Sequence, residues 1–403
     1  MRRVVQFAAA LSLTASAVMA GTVIDAVKVK SLDGLKCGAK VIKKNAKFYK
    51  VEVYPQTTLH MNDKKANEIN KNAKAKVVEV AALTDGKQIA IITRWPDKSK
   101  DIFSGYKSDI YPDGYAVQFA SDANDPAKLP YIGMGSDGRP VAIYLRKAYE
   151  IVYEPNGNGD VAHQVNPHNT NYFGKELKKF EKEVQKRGLK AYQKAFVSEG
   201  FRSMTEIKDN SVNYRTDMHY VDKKGMWGGM VIRPLSDEYA KPTKGEYAVA
   251  IAIWDGKELH RDGLKRLSSW VAVRLPGANN EALEKVVTEK VKGDVANGKK
   301  QFEANCASCH NDRNFRNAPL YMAPDLSNIG GQATAAYIKE SILDPNAVVV
   351  PGYNRNAHPN FSWYTVDKNG HRTSTMPPFS FLDQKTIEDI VAYLQTQKAE
   401  VEK

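Results

Sequence analysis

Cys306-Ala307-Ser308-Cys309-His310 constrains this chain more than any other stretch. Two residues separate the thiols, so they sit one helical turn apart and each can add to one vinyl group of a single haem. The adjoining histidine then falls beneath the iron as an axial ligand. The same residue types also suit zinc, which would need a fourth ligand. The chain has three cysteines, and the remaining one, Cys37, lies far upstream of this region. One covalent haem c, attached through Cys306 and Cys309 and ligated by His310, is therefore the expected cofactor. Cys37 is expected to be a buried or idle thiol, because the other two are consumed.

The second axial ligand is expected to be Met376, in Ser374-Thr375-Met376-Pro377-Pro378-Phe379. A thioether is a soft ligand that favours ferrous iron and raises the reduction potential. The two prolines hold the following backbone extended, which helps present the sulfur. Met322 is the rival, in the loop expected to wrap the histidine side. Iron held on both sides has no open position for a substrate, so relay of single electrons is expected rather than catalysis.

Export fits this chemistry. Residues 1–20 read as a secretory signal peptide: Arg2 and Arg3, an apolar run from Val4 to Val18, then Val18-Met19-Ala20 before Gly21. The run is short and rich in small residues for a membrane span, and no later apolar run approaches that length. A soluble chain in the periplasm is expected, with no membrane span. The whole chain carries a formal charge of +13, yet from Gly293 onward 11 Lys/Arg face 12 Asp/Glu. The basic excess thus belongs to the N-terminal part. Nucleic acid is not an expected partner outside the cytoplasm. The excess suits either a solvated lysine-rich surface or an acidic partner.

The 403 residues suggest two or three domains. Residues 21–275 contain many short β-type runs: Val77–Leu83 and Gln88–Trp95 around Asp85-Gly86, then Tyr115–Phe119, Val141–Leu145, Met230–Arg233, Tyr247–Trp254 and Leu267–Leu275. Such spacing predicts a β-sandwich. Phe173, Leu177, Phe180, Val184 and Leu189 recur at mostly helical spacing and predict a helical insertion at about 173–195. Residues 276–293 read as a polar linker and 294–403 as an all-α domain. The last helix of that domain follows Asp383 and sets Ile387, Ile390, Val391 and Leu394 on one face.

Along nearly their full length, residues 294–400 resemble a class I c-type cytochrome. Gly298 and Phe302 match the family's N-terminal helix, which crosses the C-terminal helix near Tyr393. Ala323-Pro324-Asp325-Leu326 matches the loop whose proline carbonyl accepts from the proximal histidine. Met376-Pro377-Pro378-Phe379 matches the loop of the distal ligand.

The N-terminal region resembles the haem b-binding gamma subunit of ethylbenzene dehydrogenase and related periplasmic molybdenum oxidoreductases. The similarity rests on Leu83-Thr84-Asp85-Gly86 leading to Arg94-Trp95-Pro96-Asp97, and on Ala116-Val117-Gln118-Phe119. It continues through Ile132-Gly133-Met134-Gly135, Pro140-Val141-Ala142-Ile143, and Trp227 with Arg233-Pro234-Leu235. It ends with Ala252-Ile253-Trp254-Asp255-Gly256, Asp262-Gly263-Leu264-Lys265 and Ser269-Trp270. The resemblance implies one non-covalent haem b, its iron held by Met134 and Lys265. Lysine binds iron only as the neutral amine, so burial and the metal must together displace its proton. His60, His219 and His260 are rival ligands. The chain departs from the family where Tyr144 is followed by Leu145 and Arg146, and in the helical insertion.

The two resemblances together imply a non-catalytic dihaem subunit of a molybdopterin oxidoreductase. Its partners would be a molybdopterin catalytic subunit, an iron–sulfur subunit, and an external c-type cytochrome or similar carrier. Fusion to a c-type domain leans toward nitrite or nitrate chemistry. A free-standing dihaem carrier and a ligand-binding or sensing module with haem c alone are the alternatives. Haem stoichiometry and co-purifying chains separate the three.

Overall fold

The computed structural model describes residues 22–102, 111–148, 192–201, 203–207 and 214–402. The export signal at 1–20 and the insertion's helical pattern from Phe173 to Leu189 lie outside the described residues.

The first part is a sheet folded into two layers. Its strands are β1 (Val23–Lys28), β2 (Tyr49–Pro55), β3 (Lys76–Thr84), β4 (Gln88–Pro96), β5 (Gly114–Ala120), β6 (Val141–Lys147) and β7 (Tyr192–Ser198). Then come β8 (Thr205–Glu206), β9 (Arg215–Val221), β10 (Met226–Pro234), β11 (Glu246–Trp254), β12 (Arg266–Leu267) and β13 (Val271–Arg274). The order is β8-β7-β6-β5-β11-β12-β2-β3-β4-β10-β9, with β1 bridging β13 and β3 in parallel. The β3–β4 hairpin turns on Gly86 at φ +88°, while the Asp85 carboxylate accepts from the amides of Lys87 and Gln88. Alternate residues of β3, β4 and β10 (Val78, Val80, Ile89, Ile91, Val231) face those of β5 and β11 (Tyr115, Val117, Val249, Ile251) in one apolar core. The hydroxyls of Thr93 and Tyr115 meet across it at 3.0 Å. This is the β-sandwich that the turn spacing predicts.

Two local readings need correction. The helical insertion does not reach 195, because β7 begins at Tyr192 and pairs along the whole of β6. An open edge of β6 supplies ladder hydrogen bonds that local helical periodicity cannot reveal. The run Leu267–Leu275 is two strands rather than one. The Ser268 hydroxyl accepts from the Ile251 amide, and the Trp270 indole donates to the Pro130 carbonyl, which takes the chain out of the ladder between β12 and β13.

After residue 280 helices and loops replace the sheet. Helix α3 (Glu281–Thr288) buries Leu283 and Val287 in a cluster that includes Leu129, Trp270 and Ala272 of the sandwich. In the order used here, which counts α1 (Lys40–Asn45) and α2 (Lys64–Asn72), four helices follow. They are α4 (Val295–Asn305), α5 (Ile329–Gln332), α6 (Ala335–Leu343) and α7 (Gln384–Thr396). A short hairpin, β14 (Tyr364–Val366) and β15 (Arg372–Ser374), precedes α7. Helix α4 crosses α7 at Gly298, where a Cβ would lie 1.9 Å from the Asp389 carbonyl oxygen. Phe302 is fully buried one turn later, with Tyr393 at 5.4 Å and Phe315 at 5.9 Å between ring centroids. Truncating such an aromatic leaves a cavity that close-packed helices cannot refill. Phe302→Ala should therefore cost about 3–5 kcal/mol. Denaturant unfolding of the C-terminal domain measures this, and a loss below about 1 kcal/mol would contradict the packing argument.

The two parts are locked together. Asn328 and Gln332 donate to the Pro55 and Tyr54 carbonyls of β2 at 2.9 and 3.0 Å. Arg139 holds Glu340 through two hydrogen bonds of 2.7 Å, and Arg372 reaches Asp137. Bidentate, half-buried pairs of this kind fix orientation as well as attraction.

Candidate haem centres

In the C-terminal part, α4 ends where the Cys306 amide donates to the Phe302 carbonyl. The amides of Cys309 and His310 both donate to the Cys306 carbonyl, at 3.1 and 2.9 Å. This tight turn brings the two thiols and the imidazole to one cavity of about 620 Å³. Met376 lines the same cavity, carried there by the segment leaving β15, with its amide donating to the Ser374 hydroxyl. So does Met322, the rival. Phe302, Ile338, Ile342 and Leu394 supply apolar walls.

The His310 imidazole is oriented by a backbone carbonyl, in a way that could hold a metal. Its Nδ1 lies 2.9 Å from the Pro324 carbonyl oxygen. A carbonyl can only accept, so Nδ1 carries the hydrogen and Nε2 keeps its lone pair. Burial lowers the imidazole pKa, which favours the neutral, coordinating form. The Cys306 thiol is pushed up to about 12, chiefly by burial, so it does not ionise readily. An apolar cavity, two thiols and one oriented imidazole fit a haem held by thioether bonds.

In the sandwich, Met134 lies within a turn closed by the Gly135 amide on the Tyr131 carbonyl, with φ at Met134 of +83°. Its side chain packs on the cluster containing Leu59, Tyr131, Trp254 and Tyr353. Lys265 is buried, with its Nζ donating to the Asp262 carbonyl and sitting 5.4 Å from the Trp254 ring centroid. Burial pulls its pKa down to about 8. Gln56 touches both loops. Its amide donates to the Lys265 carbonyl, and its Nε2 lies 3.1 Å from where a Gly133 Cβ would be. Gln56 Oε1, Thr57 Oγ1, His60 Nδ1 and Asn356 Nδ2 are buried without a hydrogen-bond partner among the described residues. Each such atom costs about 1–3 kcal/mol. Gln56 Oε1, next to the backbone that holds Lys265, is thus one orphaned polar atom that a bound group could satisfy.

Residues 24–266 match the family model described as ethylbenzene dehydrogenase. The chain belongs to the ethylbenzene dehydrogenase family. Residues 295–398 match the cytochrome c model. The two modules make this family member an electron-transfer haem protein, and the cytochrome c module is the seat of its covalent haem. A search of curated proteins found no match. Among solved structures, the chain is similar to a family 9 carbohydrate-binding module from Caldicellulosiruptor kristjanssonii in complex with cellotriose. That similarity has 10% identity over 65% of this chain and 97% of the other, with a TM-score of 0.29. A putative carbohydrate-binding protein from Bacteroides uniformis is similar at 8% identity, over 63% of this chain and 99% of the other, with a TM-score of 0.31. No helix among the described residues is long and apolar enough to cross a membrane.

The three rival histidines of this ethylbenzene dehydrogenase-family chain lie in different settings. His219 is exposed on β9. His60 stacks on Tyr321 with centroids 3.6 Å apart. His260 is fully buried, its Nδ1 accepting from the Asp255 amide and its Nε2 3.4 Å from Glu258. Cys37, half-buried, donates weakly to the Asp217 and Gly228 carbonyls, and burial holds its thiol pKa well above the ordinary range.

One residue is absent from the expectations drawn from sequence. Lys147 holds its Nζ 4.3 Å from the same Trp254 ring, and burial pulls its pKa down to about 7. It continues the β6 face of Val141, Ile143 and Leu145, all of which belong to or pack on the Met134 cluster. Strand alternation is the signal that points this lysine inward.

Close by, Asp97, Asp113 and Asp255 are buried with ligand oxygens within 4.8 Å of one another. Burial and then Asp97 push Asp113 up to about 8, while burial and then Asp255 push Asp97 up to about 6. The folded state thus holds protons that the unfolded chain releases. That stability is present in acid and is lost as pH climbs from the ordinary aspartate range through about 8. Asp97→Asn should flatten the decline up to about pH 6 in a series of urea titrations. Wild-type stability that rises over this range would refute the assignment.

Proposed function

We propose that the chain is the dihaem electron-transfer subunit of a periplasmic molybdopterin oxidoreductase. In this reading haem c is held by Cys306, Cys309, His310 and Met376, and haem b by Met134 and Lys265. The chain relays electrons between an iron–sulfur subunit and an external c-type cytochrome or similar carrier, with nitrite or nitrate the favoured substrate of the whole complex.

One observation carries the reading. The cavity that gathers Cys306, Cys309, His310 and Met376 is walled in part by Thr58 and Tyr131 of the sandwich, and Tyr131 begins the turn that bears Met134. The turn bearing Met134 therefore lies against the wall of the cysteine-side cavity, which supports a relay between the two centres. Each haem would supply a one-electron couple when bound. The protein's own part is to hold the imidazole in one tautomer, to lower the proton affinity of the Lys265 amine by burial, and to exclude water with apolar walls. The basic excess before Gly293 suits an acidic partner surface on the sandwich side.

Purification from the native source, with pyridine haemochrome analysis and identification of co-purifying chains, tests this. The expected result is one haem b and one haem c per chain, together with molybdenum- and iron–sulfur-containing subunits. Haem c alone would favour the single-haem binding module. Both haems without such partners would favour a free-standing carrier.

A further inference from the structure

We propose that Tyr353 is the bridge through which electrons cross between the two haem centres. The proposal rests on the dihaem reading above and assigns the crossing to a single side chain. Tyr353 belongs to the C-terminal part, in the 3-10 turn Tyr353–Asn356, and its ring lines the cavity of the cysteine-linked haem. Its hydroxyl donates to the Gly133 carbonyl at 3.2 Å and lies 3.3 Å from the Gln56 amide nitrogen. Gly133 is joined by its peptide bond to Met134. An aromatic wall of one haem cavity is thus hydrogen-bonded to the peptide that leads to the expected iron ligand of the other.

Electronic coupling decays less steeply through covalent and hydrogen bonds than across van der Waals gaps, so this continuity decides the route. Tyr131 also lines the cavity and begins the Met134 turn, but its path to Met134 runs through the backbone of Ile132 and Gly133, whereas the Tyr353 hydroxyl bonds directly to the carbonyl of the Gly133–Met134 peptide. The geometry is held by backbone contacts that no side chain interrupts. A Cβ at Gly352 would lie 1.7 Å from the Phe201 carbonyl oxygen, and one at Gly200 would lie 2.5 Å from the Pro351 carbonyl oxygen. At Gly133 itself a Cβ would fall 2.4 Å from the Tyr353 hydroxyl, so only glycine lets the hydroxyl approach. Burial holds the Tyr353 pKa well above the ordinary range, and a carbonyl partner cannot take its proton. The hydroxyl therefore keeps its hydrogen. With both haems bound, one electron would pass, one iron being oxidised as the other is reduced, while Tyr353 would keep its hydrogen.

The test is photochemical injection of one electron into the purified protein, followed at wavelengths that separate b and c haems. Tyr353→Phe keeps the ring and removes the bond to Gly133, whereas Tyr353→Leu removes the ring as well. Equilibration between the haems should slow several-fold in the first variant and further in the second. Both haems, their spectra and their reduction potentials should be unchanged. Unaltered equilibration in both variants would overturn the proposal. So would loss of haem b from Tyr353→Phe, which would make the residue structural instead. A wild-type protein with haem c alone would reject the dihaem reading before any variant is compared.

Discussion

Lys265→Ala should lose haem b, or leave it five-coordinate and able to bind carbon monoxide, while haem c stays intact. The expectation follows from where the amine sits. Lys265 is 4% exposed, has a carbonyl and an aromatic face as neighbours, and has its pKa pulled down to about 8 by burial. A lysine so placed needs only a modest further push from a metal to act as a neutral ligand. Alanine removes the donor atom from a buried position. Lys147 also places its amine on the Trp254 ring, so Lys147→Ala is the matched control. Haem b in that variant should remain six-coordinate. An unchanged six-coordinate haem b in Lys265→Ala, with loss in Lys147→Ala, would move the ligand to β6. If neither variant changed it, His260 or His219 would be the remaining candidates.

Cys309→Ala should largely abolish covalent haem staining of the chain on denaturing gels, the largest effect expected in the C-terminal domain. Only thioether bonds survive denaturation, and the turn from Cys306 to His310 presents no other thiol to the second vinyl group. Met376→Ala should leave staining intact but remove the methionine–iron charge-transfer band at the red end of the visible spectrum. It should also lower the reduction potential, since a thioether favours ferrous iron. Survival of that band would transfer the distal role to Met322, which lines the same cavity.

The chemistry-bearing groups of the C-terminal cavity are legible without coordinates because each is encoded within a few residues. Two cysteines and a histidine on one turn are a local arrangement, and the Met376 loop is marked by its own prolines. The strand pairs around Asp85-Gly86 are legible for the same reason, since turn chemistry and two-residue alternation are short-range. The amphipathic pattern of α7 after Asp383 likewise follows from neighbours along the chain.

Contacts between distant segments are another matter. β7 starts at Tyr192 because β6 offers an open edge, and no local pattern announces that partner. Lys147 lies two residues beyond the Val141–Leu145 run read from the sequence, and only the full β6 ladder against β5 carries that face to it. Tyr353 and Gly133 are 220 positions apart, and their hydrogen bond exists only because the helical domain docks on the sandwich through Arg139–Glu340 and the β2 carbonyls. Residue order alone marks Cys306, Cys309 and His310 as a haem-attachment set, since that chemistry belongs to residue types at a short spacing. The distance and contact between the two centres depend on packing between domains, which is a property of whole surfaces meeting and is written in no single stretch of the chain.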